Sequence, residues 1–142
     1  MSRTVKRSQF RKDLCEDLKD PEFLREYVRE SVRIATIDQL VNALDDAREV
    51  VGLSKADLAR AISVEPATVR RLFSADHVNP TLGTLAEVAA ALGMRVTLEP
   101  LDKAEREKVT EPLLEGRSAD TRALVKRMSS MREGKWEAAV SR

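Results

Sequence analysis

Cysteine and histidine each occur once, as Cys15 and His77, in a chain of 142 residues. A single cysteine excludes an internal disulfide and fits a reducing cytoplasm. His77 has no cysteine or carboxylate partner at ligand spacing, so no metal site is expected. Cys15 has no histidine near it in sequence, and an idle or buried thiol is the expectation. The five glycines (Gly52, Gly83, Gly93, Gly116 and Gly134) are scattered and build no loop that could cradle a phosphate. No apolar run approaches the ~20 residues that a membrane span needs. The N-terminus is basic but lacks the apolar segment of a secretory signal. Nothing assembles a nucleophile, a base and an orienting group, so neither an enzyme nor a cofactor is expected. Charge of one sign is also missing overall, with a net value of +1.

What is present is helical periodicity with clear punctuation. The length suits one domain, with at most a small appendage, and an all-helical core of this size is stable without staples. Residues 1–12 carry Arg3, Lys6, Arg7, Arg11 and Lys12 with no acid, and read as a mobile arm. Asp20 caps a helix that has Pro21 at its first position, where a missing N–H costs nothing. Phe23, Leu24, Tyr27, Val28 and Ser31 give that helix an apolar stripe. Thr36 and Gln39 form a capping-box pattern for a further helix, which carries Leu40, Val41, Leu44, Ala47 and Val51 inward and stops at Gly52.

Two short helices are expected at 54–62 and 66–73, separated only by Ser63, Val64 and Glu65. Helices joined by so tight a turn cannot pack antiparallel, and must cross steeply. That is helix-turn-helix geometry, in which the second helix is presented to a DNA major groove. A loop through Asn79-Pro80 follows, then a helix over 82–92 capped by Thr81 and ended by Gly93. Met94 to Leu98 alternates strictly, which predicts one short strand. Such a strand cannot satisfy its own backbone and would pair across a dimer. Beyond Leu101 a helix is expected over Asp102–Leu114, interrupted near Pro112. Ser118 is expected to cap another, with a stripe of Thr121, Leu124, Val125, Met128 and Met131. The expected regions are thus an arm and helix over 1–36, a helix-turn-helix domain over 37–99 and a helical extension over 100–142.

Over roughly residues 38–98 the chain resembles the Xre/Cro-type helix-turn-helix of phage repressors and bacterial antitoxins. The matching marks are Leu53-Ser54, Leu58-Ala59, Val64, Thr68-Val69, Leu72, Asn79-Pro80 and the Leu85…Ala91-Leu92-Gly93 helix. Upstream, Asp17-Leu18-Lys19-Asp20-Pro21-Glu22 with Tyr27 resembles the leader of the HigA-like addiction-module antidotes. Two departures stand out. Ser63 replaces the glycine usual in the family, and Glu65-Pro66-Ala67 replaces a polar start to the recognition helix.

The resemblance implies an all-α, phage-repressor-like bundle, to which the alternation at Met94–Leu98 adds one short strand and the periodicity beyond Leu101 a helical C-terminal extension. It implies a cytoplasmic homodimer that reads a palindromic double-stranded DNA operator, represses transcription and neutralises a cognate toxin. Carried over by position, Arg71 reads a base late in the recognition helix, with Arg70 beside it; arginine donates two hydrogen bonds to guanine O6 and N7. Ala67 is placed to touch a thymine methyl, and Glu65 to accept from cytosine N4 or to cap the helix. Ser54, Lys55, Thr68 and Asn79 fall near the DNA backbone. Met94, Val96, Leu98, Leu124 and Met128 are the candidate dimer or partner surface, although the apolar stripes could equally be core. Trp136 is a further candidate anchor. The rival readings are a stand-alone regulator without a toxin, and a helical protein-interaction module that does not bind DNA. The small net charge points to moderate, salt-sensitive binding of nucleic acid rather than a tight coating.

Overall fold

The computed structural model describes residues 3–74 and 79–135. His77 and Trp136 lie outside the described residues. Helices make up the architecture: α1 (Arg3–Asp17), α2 (Pro21–Val51), α3 (Lys55–Ala61), α4 (Pro66–Leu72), α5 (Leu82–Ala91), α6 (Lys103–Lys108), α7 (Thr110–Glu115) and α8 (Thr121–Ser130), followed by a turn over Met131–Lys135 that kinks at Gly134. No helix is long and apolar enough among the described residues to cross a membrane.

The chain divides into two compact units, residues 37–99 and residues 1–36 with 100–142. In the first, the C-terminal half of α2 with α3, α4 and α5 encloses Val41, Leu44, Leu58, Ala59, Val69, Leu72, Leu85, Val88, Ala89 and Leu92. In the second, Leu18, Leu24, Val28 and Ala35 share a core with Val109, Leu124, Val125, Met128 and Met131. The N-terminal helices and the C-terminal extension therefore bury their stripes in one another. Leu124 and Met128 are fully buried there, so they are core and not a dimer or partner surface.

Several expected helix boundaries need correction. The N-terminal segment is helical, as α1, and not an arm. α2 runs unbroken for 31 residues through Thr36 and Gln39. No glycine or proline lies between Pro21 and Gly52, so nothing forces Thr36 out of helical geometry and its capping pattern goes unused. The C-terminal break falls at Val109, not Pro112. Pro112 lies in the first turn of α7, where it removes no helical hydrogen bond, and it is buried. Asp120, not Ser118, caps α8, its Oδ1 accepting from the Ala123 N–H at 3.1 Å.

The strand is absent among the described residues; 94–98 is irregular chain. The Met94 N–H is engaged in ending α5, donating to the Ala89 carbonyl at 2.7 Å. A strand needs a ladder partner, and the alternation of Met94, Val96 and Leu98 supplies none. Only Val96 packs on the core; Met94 and Leu98 are 43% and 95% exposed.

Candidate nucleic-acid interface

The site is built from three short helices whose ends are tightly specified. α3 begins with a complete capping box. Ser54 Oγ accepts from the Asp57 N–H at 3.0 Å, and the Asp57 carboxylate accepts from the Ser54 N–H at 2.9 Å. Asp57 also pairs with Arg60. These bonds, the backbone one first, hold the Asp57 carboxyl below its ordinary pKa.

α3 ends in a turn whose bonds run from the Ser63 N–H to the Arg60 carbonyl and from the Val64 N–H to the Ala59 carbonyl. This is the Schellman pattern, which places one residue in the left-handed region. Here that residue is Ser63, at φ +56°. Gly52 and Gly93 occupy the corresponding places after α2 and α5. The departure from the family pattern noted at Ser63 is thus a backbone-strained position.

α4 follows at once, packed against α3. Pro66 opens it, and Glu65 occupies the cap position without a side-chain cap bond. Glu65 is exposed, so its carboxylate faces outward. Val69 and Leu72 are buried against Leu58, Ala59 and Leu85. The helical period then puts Ala67, Arg70 and Arg71 on the opposite face. Arg70 and Arg71 are exposed and Ala67 half-buried; neither arginine is in an ion pair among the described residues. Thr68 is half-buried at the edge of this face, and Lys55 is half-buried at the start of α3. Asn79 is exposed and has an interaction of its own within the chain.

Ser54 is exposed and belongs to the cap of α3. Its backbone N–H and its accepting oxygen are engaged in the capping box, leaving only the hydroxyl proton to donate. The Asp57 carboxylate also sets a negative charge at the mouth of α3, where a phosphate would otherwise meet bare N–H groups. The Ser54-x-x-Asp57 spacing was a readable signal for this.

A second contributor left no mark in the sequence. Arg48 of α2 donates from Nη1 to the Leu53 carbonyl at 2.9 Å and from Nε to Asp45 at 2.9 Å. Its guanidinium lies over the Phe73 ring at the end of α4. One side chain therefore braces both the entry to α3 and the exit from α4.

Residues 44–98 match the family model described as Helix-turn-helix. No curated protein and no solved structure matches the chain significantly. Over this stretch α4 packs on α3 and keeps one face exposed, the arrangement that the helix-turn-helix model describes.

Proposed function

We propose that this chain is a sequence-specific transcriptional repressor that binds a palindromic operator as a homodimer. The observation that carries the reading is the outward face of α4, where Arg70 and Arg71 stand exposed beside Ala67 and opposite the buried Val69 and Leu72. Arg71 donates to guanine O6 and N7, with Arg70 on the neighbouring base or phosphate. Ala67 meets a thymine methyl, and Glu65 accepts from cytosine N4. Lys55, Thr68 and Asn79 approach the DNA backbone and set the register. With so few hydrogen-bonding side chains on the face, DNA shape supplies part of the specificity.

Two-fold symmetry of the operator follows from two recognition helices in a dimer. Met94 and Leu98 are exposed apolar residues next to the domain and suit its dimer contact. The antidote-like leader at Asp17–Glu22 supports a finer reading, in which the chain is a cytoplasmic antitoxin that neutralises a cognate toxin and represses their shared operon. It acts by binding, not by catalysis.

The test is a titration of the chain against the DNA upstream of its own gene. A specific complex that Arg71→Ala weakens at fixed salt supports the reading. An unchanged affinity in Arg71→Ala removes α4 as the recognition helix, and no complex at all removes DNA reading. Co-expression and pull-down with the product of the neighbouring gene separates the antitoxin from a stand-alone regulator.

A further inference from the structure

The helix-turn-helix unit is the wrong sign for a polyanion. Residues 37–99 hold nine acids (including Asp57 and Glu65) against six cations, a net charge of −3. Sequence-independent attraction to DNA comes from lysine and arginine neutralising phosphates. The net charge of that unit adds no general attraction to a polyanion beyond the local cations of its α4 face and Lys55.

α1 carries five cations against three acids, Asp13, Glu16 and Asp17, all three in its C-terminal part. Residues 1–12 contain five of the chain's 25 cations and none of its 24 acids, so the remaining residues total −4. Leu14, Cys15 and Leu18 anchor the C-terminal end of α1 in its unit. The turns before them leave Lys6, Arg7, Arg11 and Lys12 exposed. Arg7 and Arg11 stand one above the other at i and i+4.

Several cations elsewhere in the chain are paired locally, as in Arg33 with Glu30, Arg48 with Asp45 and Arg60 with Asp57. Among the described residues, none of the four α1 cations is in an ion pair. Their helix has no acid in its first turn, so Lys6 and Arg7 face the positive end of the helix dipole. Stacked like charges at i and i+4 add to the cost. A cluster that destabilises its own helix is stabilised by a polyanion laid along it.

We propose that α1 is a second DNA-contacting element, which binds backbone phosphates of duplex DNA through Lys6, Arg7, Arg11 and Lys12 and carries the sequence-independent part of the affinity. It rests on the DNA-binding reading of α4 but assigns a different term of the binding energy to different residues. The α4 face chooses the sequence; the α1 face supplies the larger part of the salt dependence, beside Lys55.

The test compares the full chain with its Lys6→Gln, Arg7→Gln, Arg11→Gln, Lys12→Gln variant. Glutamine keeps helix propensity while removing charge, and circular dichroism verifies equal helix content. Binding is read by fluorescence anisotropy over a salt series, on a labelled mixed-sequence duplex of about two helical turns and on the upstream DNA of the gene. The expected result is a fall of about tenfold or more on both duplexes at low salt, with the slope of log affinity against log salt reduced by about three units. The ratio of affinities for the two duplexes should stay constant. An Arg7→Lys, Arg11→Lys variant keeps the charge and should keep the wild-type slope. If the glutamine variant retains the wild-type slope, or the lysine variant loses it, α1 is not a phosphate contact and the inference falls while DNA reading stands. A wild-type chain that binds neither duplex overturns both.

Discussion

The Arg48 guanidinium lies 5.9 Å from the centroid of the Phe73 ring, and the same side chain holds the Leu53 carbonyl. The two ends of the helix-turn-helix are thereby fixed to one arginine, whose side chain is only 15% exposed. Arg48→Ala removes the packing of its stem and leaves a carbonyl short of a donor. A loss of about 1–3 kcal/mol is expected in urea unfolding. Arg48→Lys should recover little, because an ammonium cannot reach Asp45, Leu53 and the ring together.

Ser63→Gly should stabilise the chain. A left-handed backbone costs an L-residue about 1–2 kcal/mol, while the extra freedom of glycine in the unfolded chain returns about 0.5–1 kcal/mol of that. The net expectation is a gain of up to about 1 kcal/mol, read as a raised Tm. A lowered Tm would mean that the Ser63 side chain contributes more than its backbone costs.

Asp57 links stability to pH. Its carboxyl is held below the ordinary value by the Ser54 bonds and by Arg60, so the folded state binds a proton less readily than the unfolded one. This contribution is fully present above the ordinary carboxylate range and is lost as pH falls through the lowered folded value. Asp57→Asn should therefore be less stable than wild type near neutrality, with the difference narrowing in acid. Unfolding midpoints across that range measure it, and a constant difference would show that charge is not involved.

Arg71→Ala and Lys55→Ala should weaken DNA binding in different ways. The first is expected to cost about 1–3 kcal/mol on the operator and relax preference at one guanine. The second should weaken all sequences alike and flatten the salt slope by about one unit. Competition titrations against single-base operator variants distinguish them. Identical behaviour would dissolve the division between base and backbone contacts.

In the other unit, Arg127 Nε lies 2.9 Å from the Glu105 carboxylate, and both side chains are nearly buried. Arg127→Met leaves a buried carboxylate with its main counter-charge removed and should cost about 3–5 kcal/mol. Replacing Glu105 with Met as well should restore most of the loss, because the pair's desolvation penalty disappears with its attraction. A double variant no better than the single one would mean that Arg127 acts through its other contacts.

Five of the helix ends were legible in the residues themselves. Asp20, Ser54, Thr81, Gly52 and Gly93 act within a turn or two of chain, so local hydrogen bonding and φ preference decide their role wherever they occur. The apolar spacing of Val69 with Leu72, and of Leu85 with Val88, placed α4 and α5 for the same reason. Arg71 was singled out by its position in the family resemblance, and it stands on the exposed face of α4.

What depended on distant partners was not legible. Met94 to Leu98 alternates like a strand, but alternation says only which residues could share a face. A ladder needs a second strand, and the described chain offers none. Thr36 and Gln39 have the letters of a capping box, yet the helix before them has no reason to stop. Whether the Leu124 and Met128 stripe was surface or core depended on Leu24 and Val28, about a hundred residues away. Arg48 looked like any helix-surface arginine until the fold brought Leu53 and Phe73 to it. Local energies of a kcal/mol or so set the ends of helices; which faces are buried, and what they are buried against, is settled only when the whole chain closes over its cores.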